Sequence, residues 1–154
     1  MLDLEELYQS VILDHSRRPR NRGVLPQPCQ KASGDNPACG DEVTIYLRLD
    51  LENKIEAIQF EGQGCAISQA SASLMTVKLK GKTIPEAHEI LTLFQNHLTA
   101  KTEEELPDTF GNLKALAGVR KFPQRVKCAT LAWNALKQIL QEQEVSPSTP
   151  SASN

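Results

Sequence analysis

From Glu42 to Asp50 the chain alternates without a break, with Val43, Ile45, Leu47 and Leu49 on one side and Glu42, Thr44, Tyr46 and Arg48 on the other. A period of two predicts a strand with one buried face. LENK at 51–54 has the composition of a turn, and IEAIQFEG after it reads as a second strand, so residues 42–61 form an antiparallel hairpin. A short strand near residues 29–34 joins them. Elsewhere the period is helical. Leu4, Leu7 and Val11 predict a helix over 3–14, with Asp3 as its N-cap and Glu6 three residues on. The run from Ala66 to Lys80 is poor in turn formers, stops before Gly81 and carries a Ser/Ala-rich face suited to close helix packing. Over 85–97, Pro85 suits a first helical turn, and Ala87, Ile90, Leu91 and Phe94 share a face. Leu131, Ala132, Ala135, Leu136 and Ile139 mark the clearest helix, 128–143. Residues 100–118, around Pro107 and Gly111, read as irregular with a short helix. No internal repeat interrupts this single series of elements. Residues 1–143 therefore read as one domain and 144–154, which have almost nothing to bury, as a disordered tail.

Composition narrows the class. With 154 residues, 40% hydrophobic and 23% charged, the chain can bury a core without disulfide staples. A formal charge of −2 gives no general attraction to nucleic acid or to an anionic membrane. The first helix is acidic, which does not fit a secretory signal, and no window approaches the roughly 18 apolar residues of a membrane span. A cytoplasmic protein is expected. In that reducing setting the four cysteines read as metal ligands or reactive thiols before disulfides.

Three of them have informative surroundings. Cys39 and Asp41 share the turn GDNPACGDE just before the alternating strand. Cys65 follows Gly62 and Gly64 and precedes a helix, while Cys128 opens the last predicted helix. Both sulfurs should then feel a helix N-terminal dipole that favours thiolate. Three thiolates and a carboxylate match the ligand number of a tetrahedral zinc site, although the spacing is not that of a zinc finger. A carboxylate among sulfurs is a harder, more displaceable ligand, so the set reads as a site able to open. Arg120, Lys121, Arg125 and Lys127 precede Cys128 and can offset its negative charge. The plainer alternative is a structural metal clip. Cys29 reads as an idle thiol, and His15, His88 and His97 read as surface or capping residues. Arg17, Arg18, Arg20 and Arg22 read as a solvated turn before a docking surface. Without interleaved aromatic residues they are not a nucleic-acid site.

Taken together, LYQSVILDHSRRPRNRG, NPACGDEV, GQGCAISQASAS and KCATLAW resemble the SufU, IscU and NifU N-terminal family of iron–sulfur assembly proteins. The resemblance runs from about residue 4 to 143. It implies an α+β fold with a small antiparallel three-stranded sheet packed against several helices. It also implies Cys39, Asp41, Cys65 and Cys128 as ligands. Lys127 stands where the IscU branch has a histidine, and KFPQRVKC replaces its Leu-Pro-Pro-Val-Lys stretch. The SufU branch is therefore implied: a zinc-containing sulfur acceptor, or sulfurtransferase, for a SufS-like cysteine desulfurase, with downstream Fe–S scaffold proteins as further partners. By that resemblance Cys39 takes the persulfide sulfur. The loop position of Cys39 agrees, since a turn moves farther than a helix start, and Arg125 is the residue expected to stabilise the sulfur anion. The alternative is a non-enzymatic scaffold carrying iron or a [2Fe–2S] cluster on the same ligands.

Overall fold

The computed structural model describes residues 4–99 and 104–145. The elements follow in the order α1 (Leu4–Arg17), β1 (Gln30–Asn36), β2 (Asp41–Leu49), β3 (Ile55–Gln63), α2 (Ala66–Leu79), α3 (Ile84–Leu98), a 3₁₀ segment (Asp108–Lys121) and α4 (Pro123–Val145). This is the α+β arrangement expected from the sequence. The predicted N-cap Asp3 lies outside the described residues. Of the expected tail, 144–154, the first two residues end α4 and the rest lies outside the described residues.

The three strands form one antiparallel sheet in the order β1-β2-β3. Ile45 pairs with Ala32 on one side and Phe60 on the other, and the register shifts at Arg48/Leu49. Val43, Ile45 and Leu47 are buried as the alternation requires. Tyr46 departs from it. Placed on the polar side by its period, it is nevertheless buried, and its hydroxyl donates to Glu61 Oε1 at 3.0 Å.

Helices α2 and α4 cover the inner face. The Ser/Ala face of α2 does pack closely: Ser71 and Trp133 are both fully buried, and the Trp133 indole Nε1–H donates to Ser71 Oγ at 3.0 Å. Trp133 also stacks on Phe94 of α3, with centroids 4.4 Å apart. Helix α3 starts one residue before Pro85. Thr83 and Glu86 form a reciprocal capping box there, the Glu86 N–H donating to Thr83 Oγ1 at 3.2 Å and the Thr83 N–H to Glu86 Oε1 at 2.9 Å.

Three expectations need correcting. Residues 108–121 are helical rather than irregular, broken at Gly111 (φ 55°, ψ −130°), with Phe110, Leu113, Leu116 and Val119 turned inward. α4 begins at Pro123, five residues ahead of the predicted start, because proline suits a first helical position even though QRVK shows no apolar stripe. His15 and His97 are buried rather than superficial: His15 Nδ1 lies 2.8 Å from Ser73 Oγ, and His97 Nδ1 lies 3.0 Å from the Glu104 carbonyl oxygen. No helix among the described residues is long and apolar enough to cross a membrane.

Candidate metal centre

The site forms where the β1–β2 turn, the end of β3 and the first turns of α4 meet. Asn36 and Asp41 close the hairpin as register partners. Within it the Cys39 N–H donates to the Asn36 carbonyl at 3.1 Å and the Gly40 N–H to Pro37 at 3.3 Å, with Gly40 at φ 71°. This tight turn lifts Cys39 into an exposed position. Asp41, two residues on, is at the start of β2 and only 1% exposed.

Asp41 is held by the next part of the site. Its Oδ1 accepts the backbone N–H of Cys65 at 2.8 Å, and its Oδ2 lies 3.9 Å from Cys65 Sγ. Cys65 is the N-cap of α2, as predicted, and its side chain makes no capping bond, which leaves the sulfur available. The approach depends on glycine. A Cβ at Gly64 would lie 2.4 Å from Asp41 Oδ1 and 2.5 Å from Ser68 Oγ, and one at Gly62 (φ 138°) would lie 2.1 Å from the Glu42 carbonyl oxygen. The GQGC pattern is therefore a steric requirement of bringing β3 past the carboxylate into α2.

Cys128 closes the site from α4. Its sulfur lies 3.6 Å from Cys39 Sγ. The ligand atoms of Cys39, Asp41 and Cys128 all fall within 4.8 Å of one another. Cys65 is not one of these three, and its sulfur lies 3.9 Å from Asp41 Oδ2. All four candidate ligands are thus gathered at one end of the sheet.

The expected electrostatics of Cys128 differ from the structure. Because α4 starts at Pro123, Cys128 sits in its second turn, beyond the reach of the terminal N–H groups. It is 2% exposed, and burial pushes its thiol well above the ordinary range, reinforced by hydrogen bonding with Asp41, Cys65 and Cys39. Only Cys65 keeps the N-terminal position predicted for both.

Arg125 occupies the first turn of α4, one turn before Cys128. It lines a groove of about 930 Å³ with Tyr8, Ile12, Ile67 and Phe122. No hydrogen bond or ion pair joins it to the cysteines among the described residues. Cys29 stands apart, its sulfur 3.5 Å from the Leu25 carbonyl oxygen. Arg20 pairs with Asp14 at 2.7 Å, and Arg22 donates to the Gly62 carbonyl at 2.8 Å, so the arginine turn braces the β3–α2 connection. Sequence reading did not single out Asn36 beyond its turn-forming character. Its side-chain Nδ2 is enclosed, with no hydrogen-bond partner among the described residues.

This donor set fits a thiophilic divalent metal. Sulfur and carboxylate side chains converge from separate elements, and the buried Nδ2 of Asn36, paired in register with Asp41, has no hydrogen-bond partner among the described residues.

Comparison with known proteins agrees with this arrangement. The family model described as NifU-like N terminal domain matches residues 7–144. The Bacillus subtilis protein named zinc-dependent sulfurtransferase SufU is 42% identical over 142 residues, spanning 92% of this chain and 95% of that protein. The Streptococcus pyogenes protein named iron-sulfur cluster assembly scaffold protein IscU is 43% identical over 137 residues, spanning 89% of this chain and 84% of the relative. Among solved structures, a putative iron-sulfur cluster assembly scaffold protein for the SUF system from Fervidobacterium islandicum superposes with a TM-score of 0.79 at 36% identity, covering 90% of this chain and 99% of that one.

Proposed function

The chain belongs to the NifU-like N-terminal domain family, within the SufU and IscU iron–sulfur assembly proteins, and from that premise we propose that it is a zinc-containing sulfur acceptor for a SufS-like cysteine desulfurase. Its working unit is the domain of residues 1–143. Cys39, Asp41, Cys65 and Cys128 are the zinc ligands, and downstream Fe–S scaffold proteins receive the sulfur.

One observation carries the reading. Cys39 is exposed on a turn, whereas Asp41 and Cys128, which share its cluster, are buried. A site built only to staple the fold would enclose all its ligands; here one sulfur faces solvent on the most mobile type of element. Zinc, when bound, holds the cysteine sulfurs as thiolates despite the burial that raises the free Cys128 thiol.

The transfer then follows from the residues. The Cys39 thiolate, its proton already lost, attacks the outer sulfur of the desulfurase persulfide. A new S–S bond forms on Cys39, the S–S bond to the desulfurase cysteine breaks, and that cysteine leaves as a thiolate. No net oxidation occurs. Arg125, on the open groove one turn before Cys128, supplies positive charge for the persulfide anion. Cys39→Ala should abolish sulfur acceptance from a desulfurase supplied with cysteine, followed as added mass. Full acceptance by that variant would refute the assignment.

A second reading keeps the same ligands and makes the chain a scaffold for iron or a [2Fe–2S] cluster. The similarity to the Streptococcus pyogenes scaffold protein favours it. The absence of a histidine at Lys127 favours the acceptor.

A further inference from the structure

Asn36 ends β1 with a side-chain Nδ2 that has less than 1 Å² exposed and no hydrogen-bond partner among the described residues. A buried amide donor of this kind destabilises a fold unless a partner arrives. Its surroundings indicate which partner. Alternation along β1 places Ala32, Gly34 and Asn36 on the inner face. Gly34 lies against α4, where a Cβ would come 3.3 Å from Leu131. Asn36 is one pleat farther along, directly opposite Asp41 in the β1–β2 register and on the same face. Such partners have Cβ atoms about 4.5–5.5 Å apart. Asp41 in turn clusters with Cys39 and Cys128, and the Asn36 carbonyl already accepts the Cys39 N–H.

The register thus places the enclosed amide on the face of Asp41, whose carboxylate clusters with the Cys39–Cys128 sulfur pair, its atoms 3.6 Å apart. Asp41 Oδ1 already accepts from Cys65. As neutral thiols the two sulfurs are weak acceptors, and as thiolates they become strong ones. We propose that Asn36 is a positioning residue, its side-chain amide donating a hydrogen bond to this sulfur pair once the sulfurs are thiolates on a bound metal. The inference rests on the metal-site reading above. Asn36 then holds the exposed Cys39 sulfur against Cys128 and sets how readily it is released for transfer. The Asn-Pro-Ala-Cys turn thus contributes a ligand and the donor that restrains it.

The test uses the whole protein loaded with NMR-active cadmium, reading scalar couplings from the metal to nearby protons. Couplings to the Cys39 and Cys128 β-protons and to the Asn36 side-chain amide protons are expected. Cysteine couplings without the Asn36 coupling would overturn the inference and leave the metal site standing; no cysteine coupling would overturn both. A second measurement uses Asn36→Leu, which keeps the bulk and removes the donor. Its zinc affinity against a competing chelator should fall by about 10–100-fold, as is usual on losing an outer-shell partner. Its metal-free melting temperature should equal or exceed that of the parent, because an unsatisfied amide is gone. Unchanged affinity, or a metal-free variant that is less stable or unfolded, would show a structural role instead and overturn the proposal.

Discussion

Single contacts decide whether the four ligands converge. The one that touches a candidate ligand directly is the passage of Gly64 against Asp41, where the atoms an added methyl group would meet belong to Asp41 and Ser68. Gly64→Ala should push the carboxylate off the Cys65 N–H and lower zinc affinity by about 10–100-fold, the usual effect of disturbing a ligand's outer partner. Chelator competition measures this, and parent-like affinity would show that Asp41 can retreat without leaving the site. Residue chemistry was legible at this scale. Cys39 and Asp41 announced themselves by sharing one turn, and Cys65 by its glycines. The burial of Cys128 and of the Asn36 amide was not legible, since both depend on which face of β1 and α4 meet across residues distant in sequence.

Among the elements, α1 and the turn that follows it are tied to α2 by polar contacts, that of His15 buried. Ser73 Oγ lies 2.8 Å from His15 Nδ1 and also accepts the Arg20 N–H at 2.8 Å, while Asn21 donates to Thr76 at 3.0 Å. Burial lowers the His15 pKa from its ordinary 6.5; Arg20 adds to the shift and Asp14 opposes it. A group with a depressed folded pKa binds its proton first in the unfolded chain. Its contribution is therefore complete above about 6.5 and is lost as pH falls from there toward the folded value. His15→Gln should remove that part of the acid-side loss, so urea midpoints of metal-free parent and variant should converge as pH falls from neutral toward 5.5, and parallel curves would contradict it. Periodicity revealed most elements, including the β2–β3 hairpin and α3. It missed the start of α4 because Gln124–Lys127 carry no apolar stripe, and it missed the helical 108–121 because Gly111 breaks the repeat.

For the whole molecule, the question is whether metal holds the fold or only the site. The buried cluster runs through β2, β3, α2, α3, the 3₁₀ segment and α4, with Ala32 of β1 packed against it, and does not use Cys39, Cys65 or Cys128. A continuous core of this kind stands by itself, and bound metal adds stability by mass action. Chelation should lower the melting temperature while leaving the far-ultraviolet circular dichroism of a folded α+β protein. Loss of that signal on chelation would make the site a structural clip. The family resemblance was legible in the motifs, and the fold it implied is the one found.

The most direct test of the central claim takes protein purified without oxygen, measures its metal, then mixes it with a cysteine desulfurase and cysteine while following alanine release and intact mass. Stoichiometric zinc, faster alanine release and a sulfur atom mapped to Cys39 are expected. Bound iron and sulfide on these ligands, with alanine release unchanged and no sulfur on Cys39, would contradict the acceptor account and make the chain a scaffold.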